Sequence, residues 1–407
     1  MIRRLIIYIY CLATLFVSFS AEAHLKRVAP RKAHLSEECL QKADSAILDA
    51  IARKEIPGAV LGIVRGGRMA YAKAYGNRQV YPTTEQMTVS TMFDMASCSK
   101  AMSTAICVMQ LCEQGKLRLT DPVSNYIPGF ANWKDKSGDE EVIRIQHLLT
   151  HSSGLPAYAS VDALERKYGS PNPQGLLEHI CQVRRSFRPG SDFQYSCLNY
   201  ITLQHIIQNC TGESLRDYAK HNVFLPLGMN HTDYLPIGED LSKWGNLIAP
   251  TTKQPDGSVL RGQVHDPLAR IMNGGISGNA GVFSTVDDIA VLCAALQNGG
   301  EWKGARILSD QTVHAMRTVP SWAKDIGRSY GWDVCSPYAS CNGELLSPET
   351  YGHTGYTGTS IVIDPVNDVS IILLVNAVHP IDGVSRMVRL RALVSNIVAS
   401  ALLDKVG

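Results

Sequence analysis

Apolar residues recur at helical spacing through Leu40, Ala43, Ile47, Leu48 and Ile51, the signature of an amphipathic helix. Ser36 stands before them as a cap, with Glu37 and Glu38 in the first turn, and Pro57-Gly58 marks the stop. The period then shortens. Ala59 to Val64 and Met69 to Tyr75 read as strands joined by Arg65-Gly66-Gly67-Arg68, a hairpin signal. From Ala96 to Met109 the chain is helical again, its apolar body interrupted by little charge. Residues from about 100 to 320 are helical segments broken by loops such as Leu119-Thr120-Asp121-Pro122 and Arg188-Pro189-Gly190. After Tyr330 the β-branched runs return as Ser360 to Ile363 and Val369 to Val375, split by the turn Asp364-Pro365-Val366-Asn367-Asp368. A last helix is predicted from about Asp382 to Leu403. With strands at both ends and helices between, the expected class is α/β of the α+β type. One antiparallel sheet would be built from both chain ends and flanked by helices, with a large, mainly helical insertion. The sheet region falls at about 35–92 and 325–407, the helical region at about 93–324.

The first residues follow a different pattern. Arg3 and Arg4 precede an apolar run from Leu5 to about Phe19, and Ala21-Glu22-Ala23 offers small residues where a signal peptidase reads. A signal peptide over 1–23, cleaved after Ala23, is predicted, and residues 24–407 are then expected to be an exported, periplasmic or extracellular, single catalytic domain. The alternative is an uncleaved anchor. No later segment approaches the roughly 18 apolar residues of a spanning helix. Ten cysteines follow the leader; Cys335 and Cys341 bracket a short loop and are the expected pair. Most of the others sit in apolar helical stretches, where a thiol behaves as a small hydrophobe. No Cys or His spacing suggests zinc. A formal net charge of +2 on 407 residues gives no reason to expect nucleic acid.

Three stretches carry candidate chemistry. Ser97 and Lys100 lie three apart, hence one helical turn apart on one face. A serine hydroxyl needs a neighbouring base to become a nucleophile, and a buried lysine readily gives up its proton. Tyr195 follows the loop Arg188-Pro189-Gly190-Ser191-Asp192 and precedes an apolar helix; beside an ammonium, a phenol ionises more easily and acts as a general base. His353-Thr354-Gly355-Tyr356 leads into a strand, where a glycine edge lets backbone approach a substrate or aim an N–H at an oxyanion. Each stretch alone also has an ordinary structural reading. So do Ser99, which points off the Ser97 face, the pair His147 and His151, read as loop packing rather than metal ligands, and His265-Asp266.

Taken in order, these stretches resemble the serine β-lactamase and penicillin-binding-protein superfamily, and within it the class C β-lactamase-like branch. Ile145 to Pro156, Pro226-Leu227-Gly228-Met229 and Gly281 to Asp288 are similar to further stretches of that branch. Val264-His265-Asp266-Pro267, Gly331-Trp332-Asp333-Val334 and Val378-His379-Pro380 look like members found beside β-N-acetylglucosaminidases, some of them N-acetylmuramyl-L-alanine amidases. The resemblance implies that Ser97 attacks a carbonyl carbon while Lys100 and Tyr195 carry the proton. The backbone N–H groups of Ser97 and Tyr356 would form the oxyanion hole, and His353, Thr354, Gly355 and Tyr356 would bind substrate. It implies no metal and no organic cofactor, and a small-molecule or peptide partner. One departure stands out: the family's Tyr-x-Asn reads Tyr195-Ser196-Cys197 here, with Asn199 two residues on as the candidate replacement. A thiol is a weak donor and acceptor, which weakens amide recognition more than ester chemistry. The expected function is an exported serine hydrolase acting through an acyl-enzyme on cell-wall-derived peptides or muropeptides. The alternatives are a small-molecule esterase or acyltransferase of the same fold, and a catalytically silent wall-peptide-binding protein.

Overall fold

The computed structural model describes residues 24–383 and 387–403; the expected leader and its cleavage site lie outside them. Six antiparallel strands form the main sheet in the order β4-β5-β6-β1-β2-β3. Here β1 is Gly58–Arg65, β2 Arg68–Gln79, β3 Glu85–Gln86, β4 Tyr351–Thr354, β5 Ser360–Asp364 and β6 Val369–Val375. The predicted hairpin is present, and β2 runs beyond Tyr75 because Asn77 and Gln79 still find partners in β3. The two chain ends meet in the middle of the sheet, where Val60 lies opposite Leu374 on one side and Ala74 on the other.

Alternation along β1 decides what each face packs against. Ala59, Leu61 and Ile63 point to a layer of two helices, α1 (Glu37–Ala52) and α5 (Met387–Ser400). Ser36 caps α1 by accepting from the Cys39 N–H at 3.2 Å, and the stripe Leu40, Ala43, Ile47 and Ala50 is buried. Val60 and Val64 point the other way, into the larger core shared with α4 (Val286–Gln297) and the helical region. A Cβ at Gly62 would sit 2.4 Å from the Val286 side chain, so this close approach requires glycine. The ends are stitched together by Ser36 N–H to the Ala401 carbonyl (2.8 Å) and Leu403 N–H to the His34 carbonyl (2.9 Å).

The described cysteines are all free thiols, so the expected Cys335–Cys341 pair is not formed. The 3-10 turn Ala339–Asn342 carries Cys341 inward, where its thiol donates to Asn342 at 3.4 Å, while Cys335 faces solvent. Among the described residues no helix is long and apolar enough to cross a membrane.

Candidate active site

The site begins with a strained turn. Phe93–Asp94 pairs with Val282–Ser284 in a small second sheet, and Ala96 then takes φ 45°, a left-handed conformation that costs a non-glycine residue energy. Asp94 holds that turn by accepting from the Ala96 N–H (2.8 Å) and, through its other oxygen, from the His265 N–H (2.7 Å). Burial pushes its carboxyl up to about 6 against those two donors. The turn delivers Ser97 to the start of a helix whose next segment, Lys100–Ala105, is π-helical and continues as α2 (Ile106–Glu113). Single π turns inside helices are frequent at functional sites.

Lys100 is fully buried. Its Nζ donates to Ser97 Oγ at 3.0 Å and to the Asn279 carbonyl at 2.8 Å, and lies 3.7 Å from Cys197 Sγ. The ammonium also sits 5.0 Å from the Tyr195 ring centre, and the Tyr195 hydroxyl interacts with both Ser97 and Lys100. The three predicted residues therefore meet. Their protonation differs from expectation. Burial works to neutralise Lys100, but its coupling to Cys197 and Tyr195, with a hydrogen bond to the phenol, outweighs it, so the lysine holds its proton above the ordinary range. Burial likewise pushes the Tyr195 phenol up, and Lys100 pulls it down without overcoming that. The resting site is an ammonium beside a neutral phenol.

Tyr195 is gripped on both sides, by the His151 ring (centroids 4.3 Å apart) and by a stacked Tyr338 (5.5 Å). His353, on β4, is buried and neutral, its pKa well below the usual value through burial and the charges of Arg328 and Lys100. Its Nδ1 faces the Thr354 carbonyl at 2.9 Å, which assigns the N–H to Nδ1 and leaves Nε2 an acceptor. Nε2 has no protein partner. At Gly355 a Cβ would lie 2.2 Å from Thr359 Oγ1 and 2.6 Å from the Met95 carbonyl, so only glycine lets the turn press against the nucleophile strand. Tyr356 is 67% exposed, stacks on His265 (5.6 Å) and donates to Asp382 at 2.9 Å. Ser97, Tyr195, His353, Thr354, Gly355 and Tyr356 line one cavity of about 470 Å³.

Asn199 is placed elsewhere. It is buried and accepts from Ser153 Oγ at 2.5 Å, with its amide nitrogen 3.2 Å from His151 Nδ1. Cys197 begins helix α3 (Cys197–Thr211), and two residues of helix turn Asn199 about 200° away from it. His147 and His151 are packing residues: each accepts a backbone N–H at 3.1 Å through Nδ1, from Arg144 and Ser196 respectively. Asp266 accepts from Tyr158 and from the Ala269 N–H, and Ser99 accepts from the Val282 N–H. Four cavity-lining residues carry charge that sequence reasoning did not single out as part of the site: Arg328, Asp333, Asp382 and Arg391. Asp333 stood within a family-like stretch, but a buried arginine has no local pattern to betray it.

A serine held by a buried lysine, with a tyrosine against both and a glycine-edged strand across a cavity, is the layout of an acyl-transferring serine hydrolase. The chain matches the family described as Beta-lactamase over residues 43–396, and it belongs to that family. It is 34% identical to a protein of Escherichia coli (strain K12) described as "Putative D-alanyl-D-alanine carboxypeptidase", covering 93% of this chain and 91% of that one. It is 32% identical to an "N-acetylmuramyl-L-alanine amidase" of Bacillus subtilis (strain 168), over 87% and 84% of the two chains. Among solved structures it shares its fold with EstCE1, a hydrolase with promiscuous acyltransferase activity. The TM-score is 0.71 at 24% identity, over 89% of this chain and 99% of that one. The protein is a serine hydrolase of the β-lactamase and penicillin-binding-protein fold.

Proposed function

We propose that the protein is exported and hydrolyses amide or ester bonds of cell-wall-derived peptides through an acyl-enzyme on Ser97. The observation that carries the reading is the Lys100 Nζ to Ser97 Oγ contact of 3.0 Å, with the Tyr195 hydroxyl against both. The tyrosinate form of Tyr195, steadied by the ammonium of Lys100, takes the Ser97 proton as Oγ bonds to the substrate carbonyl carbon and the carbonyl π pair moves onto its oxygen. The backbone N–H groups of Ser97 and Tyr356 receive the oxyanion; losing one such donor typically costs on the order of 100- to 1000-fold in rate. The phenol then protonates the leaving amine or alcohol, and water, deprotonated by the same group, releases the acyl chain. The wall-peptide substrate is supported by the names of the two relatives, and export by the leader pattern. A second reading, ester hydrolysis or acyl transfer to a small alcohol, is favoured by the thiol of Cys197, which offers an amide carbonyl no strong donor.

Intact-mass spectrometry of the purified protein, with Ser97→Ala alongside, tests this with a penicillin, a muropeptide and an activated short-chain ester. A Ser97-dependent adduct or turnover with the muropeptide is expected. Reaction with the ester alone selects the second reading, and no reaction with any probe rejects acyl-enzyme chemistry in favour of a binding protein.

A further inference from the structure

Beside Tyr195 lies a second buried charge, with few partners. Arg328 is 1% exposed and lines the reactive cavity. Its Nη1 donates to Asp333 at 2.9 Å, while Nε and Nη2 meet no protein acceptor. Its guanidinium centre stands 5.6 Å from the Tyr195 ring and 5.8 Å from the Phe193 ring.

Asp333 is fixed more firmly than an ion pair alone requires. It accepts from the Ser336 N–H (3.1 Å) and Ser336 Oγ (2.8 Å) as well as from Arg328. Its backbone exchanges two 2.9 Å bonds with Gly352 of β4, the strand that carries His353. The same Ser336 Oγ accepts from the N–H of Tyr338, whose ring stacks on Tyr195. One carboxylate therefore anchors both the guanidinium near Tyr195 and the aromatic ring stacked on it. Three donors share that carboxylate, and Nε and Nη2 of Arg328 stay unpaired by protein acceptors, so the cation's field still reaches the phenol.

The other groups around Tyr195 are few. Lys100 faces it from the nucleophile helix at 5.0 Å and His353 from β4 at 6.2 Å. His151 lies under it at 4.3 Å, and Cys197 and Tyr200 belong to the adjoining helix. Both histidines are held neutral. Lys100 and Arg328 are thus the two cations bearing on the phenol, and Lys100 is occupied with Ser97 and the Asn279 carbonyl. We propose that Arg328, held by Asp333, is a positioning residue for Tyr195 that sets the pH at which the phenol ionises to the tyrosinate base. The proposal rests on Tyr195 acting as the base.

Removing the cation and removing its counter-anion should then move the same quantity in opposite directions. Acylation by the activated ester, followed against pH, would show its midpoint rising by about half a unit or more in Arg328→Gln and falling in Asp333→Asn. Arg328→Lys, which keeps the charge, would recover most of the first shift. A purely structural pair would lower the rate in every variant and leave the midpoint in place. The ionisation of Tyr195 can also be read without any substrate, from the ring-carbon NMR signal that Tyr195→Phe abolishes in tyrosine-labelled protein. Opposite shifts of that signal's midpoint support the proposal even if no ester reacts. Midpoints that coincide with the wild type, or move the same way in Arg328→Gln and Asp333→Asn, overturn it. Should Arg328→Gln fail to fold, Arg328→Lys and Asp333→Asn still decide.

Discussion

The Thr357 hydroxyl donates to the carbonyl of Asp94 at 2.8 Å, across 263 residues of sequence. Thr359 makes a companion bond to the Met95 carbonyl at 3.1 Å. Through these two contacts the glycine turn that carries Tyr356 is fastened to the strand that delivers Ser97, so the two backbone donors proposed for the oxyanion keep a fixed separation. Arg391 reinforces the turn from α5 by donating to the carbonyls of Gly355 (2.8 Å) and Thr359 (3.0 Å).

Thr357→Val keeps the shape of the side chain and removes its donor. A loss of about 1 kcal/mol in stability is expected. The acylation rate should fall by on the order of tenfold or more with KM little changed, because displaced donors act on the transition state. Burst kinetics with the activated ester and a denaturant titration measure the two effects. A rate equal to wild type would show that the turn is held without Thr357.

Since burial raises Tyr195, its phenol is neutral near pH 7. The tyrosinate fraction grows as pH rises, so kcat/KM for the ester should climb from pH 6 through 9 rather than peak near neutrality. Tyr195→Phe should flatten the climb and cost roughly 100- to 10000-fold, the usual range for a lost general base. A bell centred at pH 7 would assign the base elsewhere.

Cys197→Asn places an amide donor beside Lys100, where the thiol now stands 3.7 Å away. The ratio of amide to ester turnover should rise by about tenfold, the worth of one well-made hydrogen bond. An unchanged ratio would mean that substrate carbonyls do not reach this position.

Asn199→Ala should behave as a core lesion. It leaves the buried Ser153 hydroxyl without its acceptor and removes the amide beside His151, so about 1–3 kcal/mol of stability is expected to be lost. The acylation rate should change far less than in Tyr195→Phe. A selective loss of amide substrates would instead return Asn199 to the binding site.

Asp288 is buried on α4, accepts from Thr232 and the His231 N–H, and is pushed up from 3.8 to about 6 by burial. Its folded value lies above its unfolded one, so its favourable contribution is full below about pH 4 and is lost as pH rises through 6. Asp288→Asn should reduce the fall in stability between pH 4 and pH 7 by up to about 3 kcal/mol. Unfolding midpoints across that range test it.

Much of this was legible in the chain. The apolar runs at Ala59 to Val64 and Val369 to Val375, with their turns, found the central strands, and residues of the Ser97, Tyr195 and His353 stretches line one cavity. What escaped depended on direction rather than type. Asn199 was two positions from Cys197 along the chain, but the helix had started between them. The tautomer of His353 is set by the Thr354 carbonyl that its Nδ1 faces, a contact no motif records. The protonation of Tyr195 follows from burial and that of Lys100 from its coupling to Cys197 and Tyr195, which no spacing records. Cys335 and Cys341 were close in sequence, yet a single 3-10 turn separated their sides.

The sheet that joins the first strands to the last has a consequence for timing. A ribosome releases Ser97, Lys100 and eventually Tyr195 long before the opposite wall of the cavity exists. Gly355 and Tyr356, and the Arg391 that braces them, follow Tyr195 in the chain and are made after it. A partly synthesised molecule carries Ser97 without the turn that Thr357 and Thr359 fasten beside it, so the cavity is closed only when those later residues fold back onto the strand of Asp94.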